Sequence, residues 1–224
     1  RGGGQGAIDW ARLDLKGFSH MKKIVIATKN QGKLREMKAA FAHLPVEIVS
    51  LASFGDLPDA VEDGATFEAN ARIKAHFFRE ETQTACIADD SGIELDALGG
   101  APGVHSARFA GKHGDDAANN AKMIAELQAR GRTSSPADYR CALVFEDTDG
   151  TVLTADGRVD GTIRFEPRGT GGFGYDPYFY VARPDGTEMT MAELTLAEKD
   201  AISHRGKALR ELVSQLENYF DCRK

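Results

Sequence analysis

The chain has 224 residues, of which 42% are hydrophobic and 28% are charged, and its formal net charge is −6. The hydrophobic fraction suffices for a sizeable core, which excludes a wholly disordered chain. The acidic balance argues against a general nucleic-acid-binding protein, and no apolar run approaches the roughly 18 residues that a membrane-spanning helix needs.

The N-terminal segment and the cysteines constrain organisation and location. Residues 1–20 begin glycine-rich and lack an apolar segment of signal-peptide length, so we interpret them as an extension or tag outside the fold. We expect residues 21–224 to form a single domain. Cys86, Cys141 and Cys222 form no Cys-x-x-Cys pair, which argues against a disulfide framework or a zinc site and favours a cytoplasmic location. We expect the first two to be buried in the core.

The first half of the chain alternates strands with helices. Its apolar runs and helical spacings predict, in chain order, a strand over 23–27, a helix beginning near Lys33, a strand over 46–51, a helix capped by Thr66 and a strand over 84–88. An acidic loop over 52–65 precedes the second helix.

Hairpins dominate the second half. The predicted elements are a helix capped by Asp115 and running through 130, strands over 139–146, 151–155, 159–165 and 178–181, and a C-terminal helix marked by Leu209, Leu212, Val213, Leu216 and Phe220. Asp149-Gly150 is a hairpin turn. This order of elements predicts an α/β fold with a mixed sheet.

The turn Thr28-Lys29-Asn30-Gln31-Gly32-Lys33 joins the first strand to the first helix. Backbone N–H groups at a helix N-terminus attract anions, and Lys33 adds a positive charge, so the turn suits a phosphate group. It is not a Walker A loop, because Ala27 and Leu34 stand at positions where that motif requires other residues. The alternative is an ordinary strand–helix turn.

A glycine-rich segment, Gly169-Thr170-Gly171-Gly172-Phe173-Gly174, matches the letters of a dinucleotide-binding motif. Pro177 prevents the helix that this motif requires, so the strand–loop–helix arrangement of that motif is missing and we reject that interpretation. The loop instead suits the presentation of Phe173 and Tyr175 to a flat ring. The alternative is a glycine turn beside buried aromatic side chains.

Carboxylates gather in two segments, 56–68 and 89–96, which contain no lysine or arginine. Asp89 and Asp90 follow an apolar strand, where an unpaired charge is costly. Carboxylate oxygens beside phosphate chemistry favour Mg²⁺. The alternative is a solvated acidic surface.

The segment 198–207 places Lys199, His204 and Arg205 before the last predicted helix. These donors could hold a phosphate group or a base carbonyl, although such a pair of basic residues is often only surface decoration.

Six motifs occur in order along the chain: Ala27-Thr28-Lys29-Asn30-Gln31-Gly32-Lys33, Phe67-Glu68-Ala69-Asn70-Ala71, Ala88-Asp89-Asp90-Ser91-Gly92, Gly99-Gly100-Ala101-Pro102-Gly103, Gly171-Gly172-Phe173-Gly174-Tyr175-Asp176-Pro177 and Ser203-His204-Arg205. Together they resemble the inosine/xanthosine triphosphate pyrophosphatase family, which hydrolyses non-standard purine nucleoside triphosphates. The resemblance extends from Met21 to Phe220. Lys29 departs from it, since many members have glycine there.

The resemblance implies a fold, a reaction and a cofactor. The fold is an elongated α/β protein with a mixed sheet, flanking helices and two lobes around a central cleft, usually a homodimer. The reaction is hydrolysis of ITP, dITP or XTP between the α and β phosphates, giving the monophosphate and pyrophosphate. The cofactor is a divalent cation, typically Mg²⁺.

The resemblance also implies residue roles. Asp90 is the expected general base and, with Glu62, a metal ligand, while Asp89 supports them. The expected substrate contacts are Thr28, Asn30 and Lys33 for the triphosphate, with Lys29, Gln31 and Gly32 in the same turn; Lys74 and Lys199 for positive charge; Ser91 beside the base; Phe173 for stacking, with Gly174 and Tyr175; and Asp176, His204 and Arg205 at the purine edge. Arg205 only donates hydrogen bonds, which favours a 6-oxo purine over adenine.

Two other functions are consistent with parts of the sequence. Pyrophosphatases of pyrimidine or methylated nucleotides typically begin with a Ser-x-Ser-Pro-Arg-Arg-like loop, which this chain lacks. A non-catalytic nucleotide-binding protein would keep the basic loops but would need no carboxylate at Asp90. The choice among ITP, dITP and XTP stays open at this point.

Overall fold

The computed structural model describes residues 21–223, so the predicted extension over 1–20 lies outside the described residues. Seven strands form one sheet in the order β2-β1-β3-β4-β5-β6-β7. The strands are β1 (Lys22–Ala27), β2 (Val46–Ser50), β3 (Ala85–Leu95), β4 (Ser134–Glu146), β5 (Val152–Arg164), β6 (Phe179–Ala182) and β7 (Glu188–Thr190). The helices are α1 (Gln31–Phe41), α2 (Phe67–Thr82), α3 (Asp116–Ala129), α4 (Leu196–Ile202) and α5 (His204–Asp221).

The sheet is mixed, which confirms the predicted α/β class. β1 runs parallel to β2 and β3, and the remaining neighbours are antiparallel. Helix caps lie where the sequence places them: Thr66 accepts from Ala69 N–H, and Asp115 accepts from Ala118 N–H, both at 3.1 Å. α1 begins at Gln31, two residues before the predicted start.

Strand β3 is longer than predicted. Its parallel pairing with β1 stops at Ala27 and Ala88, yet its antiparallel pairing with β4 continues as far as Leu95 and Ala137. The predicted end at residue 88 is therefore wrong, because β4 keeps satisfying the backbone of β3 after β1 has ended. The sheet thus opens beside the residues that immediately follow Ala88.

Strand β5 is one continuous strand, so the predicted break between 155 and 159 is also wrong. β4 pairs with β5 along its whole length, from Val152 to Arg164. Gly157 is a place of close approach: a Cβ there would lie 1.9 Å from the carbonyl oxygen of His204. The hairpin turn at Asp149-Gly150 is confirmed, with Gly150 at φ +85°.

Three further differences concern the C-terminal third. The short strand predicted at 178–181 lies at Phe179–Ala182, while β7 and α4 were not predicted. α5 begins at His204, so His204 and Arg205 belong to its first turn rather than preceding it.

The core consists of three hydrophobic clusters. One packs α1 and α5 against a face of β1 that includes Ile24 and Ile26, and another packs α2 against the opposite face, which includes Val25 and Ala27. The third surrounds the distal parts of β3, β4 and β5 together with α3 and β6. The first two clusters, on opposite faces of β1, correspond to one of the expected two lobes, and the third cluster corresponds to the other. Cys86 and Cys141 are buried as predicted, and no helix within residues 21–223 is long and apolar enough to cross a membrane.

Candidate active site

One pocket collects side chains from distant parts of the chain. It lies between the N-termini of α1, α3 and α5, strand β3 and the loop before β6. The predicted site residues that line it are Asn30, Lys33, Ser91, Phe173, Gly174, Tyr175, Asp176, Lys199, His204 and Arg205. The segments that the sequence singled out at 28–33, 169–177 and 198–207 therefore meet in space.

Asp89 is a buried anion that pairs with two of the cations lining this pocket. Its carboxylate pairs with Lys33 Nζ and accepts from Arg205 Nε at 3.1 Å. Burial acts to raise its pKa, but the charges of Arg205 and Lys33 outweigh burial and hold the pKa well below its usual range. Asp89 therefore stays ionised and acts as a structural anchor for two cations.

Arg205 joins Asp89 to the first helix. Its guanidinium donates to Glu36 Oε2 at 2.7 Å and to Ser91 Oγ at 2.9 Å, as well as to Asp89. Each of its three nitrogens therefore holds one acceptor. A guanidinium has five N–H groups, so both terminal nitrogens can donate once more toward the pocket.

Lys199 extends this network to the opposite wall. Its Nζ lies 3.1 Å from Glu36 Oε1 and 2.9 Å from Asp176 Oδ2, and 4.5 Å from the centroid of the Phe173 ring. Asp176 also accepts from the Phe173 backbone N–H at 2.9 Å and from the Tyr139 hydroxyl at 3.2 Å. A chain of alternating charges thus connects the strand that carries Asp89 to the aromatic loop.

Asp90 has a different environment from its neighbour. Successive side chains of a strand point to opposite faces, so Asp89 points to the α1 and α5 side and Asp90 to the α2 side. Asp90 is buried, and among the described residues its Oδ2 has no hydrogen-bond partner. Burial, together with the charges of Asp89 and Glu62, raises the pKa of Asp90 to about 6 against the opposing charges of Lys74 and Lys33.

Lys74 and Glu62 lie on the Asp90 side of the sheet. Lys74 Nζ is 2.9 Å from Glu62 Oε2 and donates to the carbonyl oxygen of Asp89 at 3.1 Å. Within residues 21–223, no group of three His, Cys, Asp or Glu side chains is arranged so that it could hold a metal ion. Asp90, with its unpartnered Oδ2 among residues 21–223, and Glu62 are the carboxylates on this side that could contribute oxygen ligands to a divalent cation.

Phe173 reaches across the pocket to the start of α1. A Cβ at Gly32 would lie only 2.5 Å from a Phe173 ring carbon, so the ring rests directly on the Gly32 backbone. Gly32 therefore supplies the space that the ring occupies.

His204 forms the floor of the pocket. Its ring stacks on Tyr139, with centroids 4.7 Å apart and an interplanar angle of 8°. Burial and the charge of Arg205 lower its pKa well below the usual range, so the ring is neutral. Its Nδ1 is buried without a hydrogen-bond partner in the described part of the chain.

Five predicted substrate contacts do not line the pocket: Thr28, Lys29, Gln31, Gly32 and Lys74. Lys29 pairs with Asp59 at 2.6 Å on the surface, Thr28 Oγ1 accepts from Asn30 N–H at 3.1 Å, and Gln31 is exposed. Asn30 caps α1 by accepting from Lys33 N–H at 3.1 Å. The 28–33 turn is thus organised around Asn30 and Lys33.

Sequence motifs mark neither Glu36, which contacts the pocket residues Arg205 and Lys199 without lining the pocket itself, nor three residues that do line it. Glu36 lies one helical turn after Lys33, on the same face of α1, and this spacing could have identified it. Tyr139, Asp116 and His113 line the pocket without any motif that marks them.

The chain is similar to known proteins over most of its length. The family model described as "Ham1 family" matches residues 24–215. A dITP/XTP pyrophosphatase of Streptomyces coelicolor is 46% identical over 195 residues, covering 86% of this chain and 96% of that protein. One of Geobacillus kaustophilus is 49% identical over 197 residues, covering 88% and 95%.

The chain is also similar to proteins of known structure. A HAM1 protein of Coxiella burnetii is 40% identical with a TM-score of 0.78, covering 88% of this chain and all of that one. The Staphylococcus aureus Ham1 protein is 37% identical with a TM-score of 0.75 at the same coverage. With the family model spanning most of the chain and relatives this similar over their whole length, the chain belongs to the Ham1 family.

Proposed function

We propose that this protein hydrolyses non-standard purine nucleoside triphosphates, ITP, dITP and XTP, to the monophosphate and pyrophosphate. The names of the curated relatives, dITP/XTP pyrophosphatases, support this activity. The observation that supports the chemistry is Asp90, a buried carboxylate whose Oδ2 has no hydrogen-bond partner among residues 21–223 and which feels the charges of Lys74 and Lys33. A carboxylate with these properties is suited to hold and move a proton.

The proposed site has two halves, one on each face of the sheet, and they are connected past the end of β1. The purine pocket lies on the α5 side of β3, while Asp90 and Lys74 lie on the α2 side. Because β1 ends at Ala27, a triphosphate can pass its end and present the α-phosphorus to Asp90. Helix N-terminal N–H groups and Lys33 hold phosphate oxygens along this path.

The proposed reaction is an in-line displacement. Asp90 accepts a proton from a water molecule, whose oxygen forms a bond to the α-phosphorus. The bond from the α-phosphorus to the bridging oxygen breaks, and pyrophosphate leaves with that oxygen. With a pKa of about 6, Asp90 is ionised at neutral pH and still basic enough to accept the proton.

Mg²⁺ is the proposed cofactor. Asp90 and Glu62 would hold it, and it would supply neutralisation of the negative charge on the phosphates. Lys74 pairs with Glu62 in the structure described here, so this lysine balances the carboxylate and can turn toward a phosphate.

Recognition of the purine is assigned to the opposite wall. Phe173 stacks on the base, and Lys199, His204 and Arg205 offer hydrogen bonds to its edge. A terminal Arg205 nitrogen donates to a 6-oxo group and would face a second donor in adenine, so we expect strong discrimination against ATP.

A substrate panel tests the proposal. Purified protein with Mg²⁺ is given ITP, dITP, XTP, GTP and ATP, and released pyrophosphate is measured. We expect rapid pyrophosphate release from the first three only. Equal rates on ATP and ITP would contradict the proposed selectivity, and binding of ITP without cleavage would favour a nucleotide-binding protein.

The general base is tested by Asp90→Asn, which keeps the shape of the side chain. We expect kcat/KM for ITP to fall by about 10²–10⁴. Asp160→Asn, at an exposed carboxylate of β5, is the matched control and should retain wild-type rates. Near-normal turnover by Asp90→Asn would remove Asp90 from the proposed role.

We further infer a homodimer and a cytoplasmic location, both from the family resemblance and the second also from the free cysteines. Neither a nucleic acid nor a membrane is proposed as a partner. Light scattering coupled to size-exclusion chromatography tests the dimer: a single species at the monomer mass would contradict it.

A further inference from the structure

We propose that Asp116 and Asn120 of α3 are positioning residues that fix the Gly174 peptide and thereby aim the Phe173 ring into the pocket. This inference rests on the proposed function, since it concerns the loop assigned to the purine. It adds an element, α3, to which no role in that reaction has been given.

The two side chains hold both polar groups of one residue. Asp116 Oδ2 accepts from the Gly174 N–H at 2.7 Å, and Asn120 Nδ2 donates to the Gly174 carbonyl oxygen at 2.9 Å. Asp116 and Asn120 are four residues apart and so lie on one face of α3. Gly174 is therefore held from a single helix face by one acceptor and one donor.

Gly174 separates Phe173 and Tyr175, whose rings point in different directions. Its φ of +65° lies in the left-handed region, which glycine adopts without strain. Phe173 before it rests on Gly32 across the pocket, whereas Tyr175 after it is buried and donates to the Ser106 carbonyl at 2.7 Å. Fixing the backbone of Gly174 therefore fixes the direction of the Phe173 ring.

Asp116 and Asn120, here called the clamp, belong to a helix that is anchored in the core. The loop that they hold has a composition that does not make it rigid. Met123 and Leu127 of α3 are fully buried in the distal hydrophobic cluster. The loop before Phe173 contains Gly169, Gly171 and Gly172, which restrict the backbone little. Asp176 holds the Phe173 N–H from within the loop, and α3 supplies two further hydrogen bonds from outside it.

Asn120 shows a cost that this role explains. Its Nδ2 also donates to the Asp116 carbonyl oxygen at 2.9 Å, while its buried Oδ1 has no hydrogen-bond partner among residues 21–223. A buried unpartnered acceptor is unfavourable. The side chain is thus oriented by what its amide nitrogen holds, the helix and Gly174.

Kinetics with matched variants test the proposal. Asp116→Ala should raise KM for ITP by about two- to tenfold, the range expected for the loss of one hydrogen bond, and reduce the preference for ITP over ATP. Asp116→Asn keeps an acceptor oxygen and should restore most of the wild-type KM. Asp115→Ala, which removes only the cap of α3, should lower thermal stability and leave KM unchanged.

A double-mutant cycle establishes whether the effect acts through Phe173. If it does, Asp116→Ala should change KM little in a Phe173→Ala background. Full additivity of the two substitutions, or equal KM values for Asp115→Ala, Asp116→Ala and the wild type, would overturn the proposal.

Hydrogen exchange tests the clamp independently of turnover. Amide protection over residues 170–176 should fall in Asp116→Ala and stay at the wild-type level in Asp115→Ala. Unchanged protection in both would overturn the clamp even if ITP is hydrolysed. If the wild type hydrolyses none of the nucleotides, the proposed function fails while the exchange measurement still decides the clamp.

Discussion

At the scale of single residues, the pKa values of two adjacent carboxylates on one strand shift in opposite directions. Asp89 faces Arg205 and Lys33, and its pKa is held well below the usual range despite burial. Asp90 faces the other side of the sheet, where burial outweighs the charges of Lys74 and Lys33 and raises the pKa to about 6. Alternation along the strand therefore separates a structural anion from a group suited to proton transfer.

The raised pKa predicts how Asp90 affects stability. Between about pH 4 and pH 6 the folded protein retains a proton that the unfolded chain has released, so this residue's contribution to stability is lost as pH rises through 6. Asp90→Asn should therefore raise the free energy of unfolding above pH 6 by about 1–3 kcal/mol, with the gain vanishing below about pH 4. Urea unfolding in the presence of a chelator measures this, and a variant less stable than the wild type at pH 7 would contradict it.

Asp89→Asn should act in the opposite direction. It leaves the buried guanidinium of Arg205 and the Lys33 ammonium without their shared anion, so we expect a loss of about 3–5 kcal/mol. The control is Asp160→Asn, which breaks an exposed pair with Arg158 and should cost about 0–1 kcal/mol. Equal unfolding midpoints in urea at pH 7 for these two variants would contradict the assignment of Asp89 as an anchor.

At the scale of elements, the site depends on where strands end and helices begin. β1 ends at Ala27 while β3 continues, so β3 has no β1 partner where it carries Asp89 and Asp90. α5 begins at His204, which places two functional side chains in its first turn rather than in a loop. Helix residues are held more firmly than loop residues, so the basic wall of the pocket is preorganised.

Gly157 controls the position of that helix start. A Cβ at this position would meet the His204 carbonyl oxygen at 1.9 Å, so Gly157→Ala must displace α5 from β5. We expect a destabilisation of about 1–3 kcal/mol or more together with a raised KM for ITP, because His204 and Arg205 move with the helix. Asp156→Ala, at the exposed neighbouring position, should change neither quantity. Thermal unfolding and steady-state kinetics test both variants, and wild-type behaviour of Gly157→Ala would refute the prediction.

At the scale of the whole molecule, one sheet joins all parts of the pocket. β3, β4 and β5 extend from the cluster around α1 and α5 to the cluster around α3. The charge network from Asp89 through Glu36 to Asp176 crosses between these clusters. The pocket therefore depends on the complete sheet rather than on any local segment.

This dependence predicts the outcome of truncation. We propose that residues 21–224 form one domain, so removal of residues 1–20 should leave ITP turnover and the unfolding temperature unchanged. The family match begins at residue 24, which supports this boundary. Removal of residues 1–27 also deletes β1, the partner of β2 and β3, and should prevent folding. A loss of turnover in the shorter deletion would show that the extension takes part in the function.

The sequence by itself determined the fold class, most element positions, the helix caps at Thr66 and Asp115, and the segments that form the pocket. These follow from local periodicity, capping chemistry and short motifs, which neighbouring residues specify. It failed at the end of β3 and at the supposed break in β5, because pairing with β4 decides both and is invisible in either segment alone.

Only the tertiary structure decided which groups meet. Glu36, Asp116 and Asn120 carry no motif, and their roles arise from contacts with residues 54 to 169 positions away in the chain. The difference between Asp89 and Asp90 likewise depends on which face of the folded sheet holds Arg205 and which holds Lys74. Desolvation and charge proximity act through space, and a linear sequence does not contain the distances that set them.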